Sequence, residues 1–336
     1  MIYDCFSFFN ELDVLEIRLN ILNEVVDRFV LVEATRTYRG TPKPLFFSES
    51  RDRFAPFLDK IIHIVVDDFS PVERYIASPT SDPKKWSWAY EDYQRHSFIR
   101  GLADLQDDDV LVVSDLDEIP TANAVRKAAK LSRDGKVRLL QLSHRSYFLN
   151  YCNFSMPHWE WGPMVLSGRA FRDAKTYEKP QRINGSVKEV LTTFPSPQLL
   201  RLMQPDEVVQ DAGWHFSFMG GTDMILKKLA SFAHTEYSTG KFKDSSHIAH
   251  VIANGGDLFG LGDRYYAVST EKCLPPYILS HQEKYAQLIY PTSSAYLRKT
   301  RMRKISATVF YVLRTITPRQ VKHAIYQLIH TCCPRR

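Results

Sequence analysis

The sequence predicts an α/β fold: a sheet of buried strands, parallel at least through its first half, flanked by helices. Short apolar runs recur at RFVLVEAT (28–35), IIHIVVDDF (61–69) and VLVVSD (110–115), bounded by polar or turn-forming residues as buried strands are. Stretches with helical spacing separate them, and strand–helix alternation builds parallel sheet. The 336 residues are 44% hydrophobic and 12% aromatic, enough for one large core.

The elements follow in order. An apolar stretch at 3–9 leads into a helix with Asn10 as its cap, Asp13 three residues on, and Leu12, Leu15, Leu19, Leu22 and Val26 at helical spacing. After the first long strand, TYRGTPKPLFF (37–47) is a loop marked by Pro and Gly, and 51–58 is a short helix. The second strand precedes a longer helix, WAYEDYQRHSFIRGLADL (88–105). DDD at 107–109 turns the chain into the third strand. Thr121 caps a helix whose body is AVRKAAKL, and VRLLQLSHRSYFL (137–149) reads as a fourth strand. Residues 150–220 interleave aromatics, glycines and a Pro-rich link at FPSPQ, and read as an acceptor-side or lid region built on the sheet. Residues 222–290 return to helix.

The net charge of +6 is not evenly spread. Residues 298–336 hold ten Lys and Arg and no Asp or Glu, so without them the charge becomes −4. A mildly acidic body with a basic tail excludes a nucleic-acid groove as the reason for the charge. Five cysteines, odd in number and without CxxC spacing, argue against a zinc site or a disulfide framework, and fit a reducing compartment. The N-terminus lacks a basic region followed by a long apolar core, so no signal peptide is expected. No run reaches the ~18 apolar residues a membrane span needs. A cytoplasmic chain is the expectation.

The densest chemistry lies in DVLVVSDLDEIP (109–120). Asp115 and Asp117 follow an apolar strand directly, and in open α/β sheets ligands bind outside that end of the strands. Residues two apart share a face in extended chain. Two carboxylates so placed share a hard divalent cation, with substrate phosphates completing its shell. Such a cation stabilises charge on a leaving diphosphate. The competing reading is a solvated turn, with acidic residues drawn to the next helix's N-terminus.

Several motifs occur in series: MIYDCFSFFNELDVLEIRLNIL, DRFVLVEAT, GTPKPLFF, VSDLDEIP and DAGWHFSF. Together they resemble glycosyltransferase family 17, over residues 1–290. The resemblance implies a GT-A-like nucleotide-sugar-binding sheet and an inverting transferase. It implies a UDP-sugar donor, typically UDP-GlcNAc, and Mn²⁺ (or Mg²⁺). By position, Asp115 and Asp117 match the family's metal-binding DxD and His215 a conspicuous family histidine. Residues 1–297 would form the catalytic domain and 298–336 an appended tail. The acceptor expected is a glycan or glycolipid.

Other candidates follow from chemistry. Neutral imidazole suits Mn²⁺, which makes His215 a third ligand or a diphosphate contact; a hydrogen-bonded core histidine beside Trp214 is the alternative. Inverting transfer needs a base for the acceptor hydroxyl, and Asp211, Glu118 and Glu160 are the carboxylates considered, Asp211 first. Glu33, ending the first strand, suits ribose hydroxyls or a uracil N–H. Arg95, with Arg51 and Arg100, suits a diphosphate. In HWEWG, Trp161 and its neighbour Trp159 are sugar platforms or core residues; His234 and Glu236 are reserve candidates for the site. Glu11, Asp13 and Arg18 read as a cap and ion pairs. The basic tail reads as two amphipathic pieces divided by Pro318, suited to an anionic membrane surface or to packing with a solvated face. A metal-dependent phosphoryl-transfer enzyme or hydrolase would use the same carboxylates, but no P-loop and no dense two-metal set of His and Asp is present. An inactive carbohydrate-binding protein is the third reading.

Overall fold

A computed structural model describes residues 1–173, 205–237, 239–268 and 273–291. The FPSPQ link and the basic tail, residues 298–336, lie outside the described residues.

Two mixed sheets flanked by helices make up the fold. The first sheet has seven strands: β1 (Ile2–Phe8), β2 (Arg28–Ala34), β3 (Ile61–Val66), β4 (Val110–Val113), β6 (Arg138–Leu140), β10 (Met164–Ser167) and β11 (Glu207–Val209). Their order is β11-β6-β10-β4-β1-β2-β3. Strands β3, β2, β1 and β4 run parallel; the apolar runs predicted β2, β3 and β4, the stretch at 3–9 proves to be a further strand, β1, between β2 and β4, and β10 is antiparallel to both β4 and β6. Both faces of the sheet are covered. Phe6, Phe8, Val110 and Val112 enter one apolar cluster, while Tyr3, Cys5, Leu111 and Val113 enter another. This is why the strands read as continuous hydrophobic runs rather than alternating ones.

The second sheet contains β5 (Glu118–Pro120), β7 (Leu142–Ser146), β8 (Tyr151–Asn153), β12 (Gly213–Ser217) and β13 (Tyr265–Ala267), with β9 (His158–Trp159) paired to β7. Three connections cross from the first sheet to the second: β4 to β5, β6 to β7, and β11 to β12. The expected single strand at 137–149 is therefore two. At Gln141 the chain changes ladders: its N–H donates to the Val209 carbonyl and its own carbonyl accepts from the Ala212 N–H, both at 2.9 Å. A pattern of buried residues marks both pieces as strand but does not say to which sheet each belongs.

The helix boundaries shift modestly. The first helix spans Leu12–Leu22, but its cap position is Glu11 without a side-chain bond. Asn10 instead accepts the Leu12 N–H through its carbonyl at 3.0 Å. Thr121 caps the helix Ala122–Ser132 as expected, accepting the Ala124 N–H at 3.1 Å. The long helix expected at 88–105 is Trp86–His96, followed by a 3₁₀ turn at Ser97–Gly101. A third apolar cluster joins Ile225 and Leu229 of the helix Gly221–Ser231 to Ile248 and Ile252 of the helix Ser245–Ala253. No helix among the described residues is long and apolar enough to cross a membrane.

Candidate active site

The order β3-β2-β1-β4 means that the chain reverses direction across the sheet between β1 and β4. Such a switch point opens a crevice at the carboxyl ends of the two strands. A cavity of about 470 Å³ lies there, lined by Ser7, Phe8 and Phe9 at the end of β1 and by Asp115, Leu116 and Asp117 after β4. The DLD turn thus sits at the seam between the two sheets.

Arg18 builds that turn. It is fully buried and forms a fork with Asp4, at 2.8 Å from Nε and 2.5 Å from Nη2. Its Nη1 donates to the carbonyls of Asp115, Leu116 and Glu118 at 2.9, 3.1 and 2.8 Å, and Nη2 donates to Ser114 Oγ at 2.6 Å. A guanidinium offers five donors in a rigid plane, and no other side chain could gather these acceptors at once.

Each carboxylate of the turn meets a cation. Arg95 grips Asp115 with two N–H groups, at 2.9 and 3.0 Å, and pairs with Glu91 at 2.9 Å. Lys228, from the helix Gly221–Ser231, lies 2.9 Å from Asp117 Oδ2 and 3.3 Å from Glu11. His215 Nε2 stands 3.6 Å from Asp117 Oδ1. Burial pushes the Asp117 carboxyl up, but Lys228 and then His215 outweigh it and hold it below the usual carboxylate range. Burial lowers the Lys228 ammonium; Asp117 and Glu11 more than offset this and raise it. Arg95 behaves alike: burial opposes its charge, and Asp115 and Glu91 drive it well above its ordinary value.

His215 is locked by aromatic packing. Its ring stacks on Trp159 at 4.1 Å and on His144 at 5.4 Å. Trp159 Nε1 donates to Glu118 Oε1 at 2.8 Å, while Glu118 Oε2 accepts the Asp115 N–H at 3.0 Å. Strand β12 carries His215 between Glu118 of β5 and His144 of β7. Gly213 makes the β5–β12 pairing possible: a Cβ there would sit 2.3 Å from the Ile119 carbonyl oxygen and 2.6 Å from Pro120 Cα. Gly213→Ala is expected to destabilise the protein by about 2 kcal/mol or more, since backbone cannot yield as a side chain can. Thermal denaturation checks this; an unchanged melting temperature would contradict it.

The sequence candidates separate into two groups. Asp115, Asp117, His215 and Arg95 converge on the cavity, with His234 further along its wall. The others do not line it. Glu33 is fully buried, accepting the Phe47 N–H at 2.9 Å and facing His63 at 3.1 Å. Glu118 is also fully buried and supports the site from behind. Asp211 is exposed, in the turn before β12 with φ of 51°. Trp214 lies on the opposite face of β12 from His215, because side chains alternate along a strand; its Nε1 donates to the Cys273 carbonyl at 2.9 Å. Trp161 is 55% exposed, and Trp159, two residues earlier, takes the cavity wall instead. Arg100 donates to the Val65 carbonyl at 2.9 Å, away from the cavity. Glu11, Trp159 and Lys228 are cavity residues to which sequence reasoning assigned no site role or only an ambiguous one. Lys228 did carry a signal: it lies beside Ile225 and Leu229 in its helix's apolar stripe.

Buried histidines impose a pH dependence on stability. Burial, followed by His215, lowers His144 to about 3, and burial lowers His96 to about 4. An unfolded histidine titrates near ~6.5. Between these values the unfolded chain binds more protons, so both groups make stability fall as pH drops from about 6.5. Asp92 acts oppositely: burial, reinforced by Glu91, raises it to about 7. Its contribution is complete below the unfolded carboxyl value of about 4 and is lost as pH rises through about 7. His144→Asn is expected to flatten the rise of melting temperature with pH between about 4 and 6.5, and Asp92→Asn to steepen it. The same slope in all three proteins would contradict the assignment.

Comparison with known proteins identifies the family. Residues 1–185 match the profile of glycosyltransferase family 17. The rat and human proteins named beta-1,4-mannosyl-glycoprotein 4-beta-N-acetylglucosaminyltransferase are each 24% identical to this chain over 307 residues. The match covers 83% of this chain and 53% of either relative, so the chain spans about half the length of the curated relatives it matches. With more than half of its length matched by the family profile, this chain belongs to glycosyltransferase family 17.

Proposed function

We propose that this protein is an inverting, metal-dependent transferase of GT-A type, moving N-acetylglucosamine from UDP-GlcNAc to a glycan or glycolipid. Residues 1–297 form the transfer domain in this reading. The observation that carries it is the DLD turn at the carboxyl end of β4, opening on a cavity at the switch point. The parallel β3-β2-β1-β4 block is the half-sheet on which nucleotides dock in doubly wound folds. The relatives' names supply the donor sugar.

The donor set fits Mn²⁺ or Mg²⁺. Asp117 Oδ1 and His215 Nε2 face one another at 3.6 Å, with Asp115 two residues away. Among the described residues no group of three such side chains forms a preformed cage. That is the usual case for ions that rely on substrate phosphates for much of their shell. The cavity wall also needs a cation: it presents Glu11, Glu91, Asp115 and Asp117 against Lys43, Arg95 and Lys228. Four carboxylates against three cations repel an anionic diphosphate. When bound, the metal supplies Lewis-acid stabilisation of the departing diphosphate. Arg95 and Arg18 hold the turn in place, and the Trp159–His215 stack excludes water beside it.

Asp211 and Glu118 lie off the cavity, so we assign the acceptor's proton to His234. Its Nδ1 is 2.8 Å from Glu236 Oε1, and a carboxylate that orients an imidazole leaves the other nitrogen to accept a proton. His234→Asn is expected to lower kcat by about a hundredfold with UDP affinity unchanged. Equal loss of UDP binding would instead make His234 a donor contact.

The reading is tested by calorimetric titration of UDP into the protein with and without Mn²⁺, followed by transfer assays with UDP-GlcNAc. Mn²⁺-dependent UDP binding is expected. No UDP binding under either condition would sink it, and phosphate release from simple esters would favour the hydrolase reading. The basic tail is proposed to touch anionic membrane on the cytoplasmic face. Co-sedimentation of the full chain with vesicles containing phosphatidylserine, and not with neutral ones, would support this.

A further inference from the structure

Lys228 has no assigned part in the reaction, yet it lines the cavity beside the DLD turn. Its ammonium bridges Asp117 at 2.9 Å and Glu11 at 3.3 Å, and it lies 5.3 Å from the centre of the Phe218 ring. Its side chain is 26% exposed and those of its two carboxylate partners are 11% and 14% exposed, so the pair is weakly screened by water. The helix that carries it is anchored by Ile225 and Leu229, both buried. The ammonium therefore stands on a fixed base with a mobile four-carbon stem. It engages the carboxylate that, in the proposed function, receives the divalent cation.

We infer that Lys228 is a diphosphate-binding residue held in reserve on Asp117, and that a divalent cation on the other oxygen of that carboxylate loosens its hold. The ammonium neutralises Asp117. A cation entering between Asp117 Oδ1 and His215 Nε2 shares the carboxylate with the ammonium on Oδ2, and the two positive charges repel each other across it. Glu11 gives the released ammonium a second carboxylate, so it stays in the cavity. There it can meet a phosphate oxygen of the donor. Lys228 and the cation are then antagonists without the diphosphate and partners once it is present. Because linked binding is reciprocal, the diphosphate favours the cation by drawing Lys228 from Asp117. This inference rests on the metal-dependent reading above.

The test compares wild type with Lys228→Met, which keeps the stem's length and removes the charge. Mn²⁺ binding is read from the paramagnetic resonance signal of free Mn²⁺, without nucleotide. Lys228→Met is expected to bind Mn²⁺ about tenfold more tightly, the effect of losing one competing ion pair of moderate strength. At saturating Mn²⁺ it is expected to bind UDP about tenfold more weakly, from loss of one charge-assisted bond. Unchanged or weaker Mn²⁺ binding overturns the reserve role, and unchanged UDP binding overturns the diphosphate role. A second measurement needs no substitution. Acylation of Lys228 by an amine reagent, followed by mass spectrometry on wild type, is expected to rise with Mn²⁺ alone and fall when UDP is added. A flat response overturns the inference even where Lys228→Met fails to fold. Asp117→Asn separates the two levels. Mn²⁺ binding that vanishes in this variant upholds the metal site even if Lys228 proves a bystander. Absence of Mn²⁺ binding to wild type, with or without UDP, sinks both.

Discussion

If the proposed function holds, Asp117→Asn reduces sugar transfer from UDP-GlcNAc by about a hundredfold to a thousandfold, the scale of losing one preorganised electrostatic contact to a developing charge. The substitution changes almost nothing but charge. Asn has the same shape, and the main chain of residue 117 keeps its place because its carbonyl accepts the Phe216 N–H at 2.7 Å. What disappears is the anion facing both His215 and Lys228. A metal would lose its most buried oxygen ligand, and Lys228 would keep only Glu11. Folding stability should move far less than activity, because Asn leaves no empty space and the part-exposed Lys228 keeps Glu11 at 3.3 Å. Steady-state turnover with radiolabelled donor, beside thermal denaturation, reads both. A variant keeping more than about a tenth of wild-type turnover would remove Asp117 from the reacting centre.

Arg18→Met is expected to cost about 3–5 kcal/mol of folding stability, the range for removing one partner of a buried ion pair. Asp4 is fully buried and would keep its charge with no cation beside it. The carbonyls of Asp115, Leu116 and Glu118 would lose their shared donor, so the turn that aims the carboxylates would loosen too. These two consequences can be separated. Asp4→Leu combined with Arg18→Met removes the stranded charge and is expected to recover much of the stability, as apolar replacement of buried pairs often does. It restores no donor to the three carbonyls, so transfer should remain low. Denaturant unfolding of both variants with parallel activity assays decides it. A single-mutant loss below about 1 kcal/mol would mean that the turn is held by other means.

Arg18 and Lys228 share a signature that sequence reading can use. Each is a cation inside the apolar stripe of a helix: Arg18 among Leu15, Leu19 and Leu22, and Lys228 between Ile225 and Leu229. A stripe residue faces the interior, and an interior charge must find a partner. Spacing reveals that such a residue is buried. It does not name the partners, which for Arg18 are Asp4 and the carbonyls of Asp115, Leu116 and Glu118, and for Lys228 are Asp117 and Glu11.

The sequence by itself determined the parallel strands β2, β3 and β4, the Thr121 cap and the position of the DLD turn just past a buried strand. These are local matters, governed by apolar runs, turn residues and the chain's own hydrogen-bonding groups. It also determined the family, through motifs in series. Tertiary structure alone decided that Glu33, Glu118, Asp211, Trp161 and Trp214 stand off the cavity while Glu11, Trp159 and Lys228 line it. Cavity membership depends on which face of a strand points inward and on where the chain changes sheets at residues 115–117, 141 and 210–212. Those choices are made by pairings between segments a hundred residues apart, as between His215 and Glu118, and no local pattern encodes such a distance.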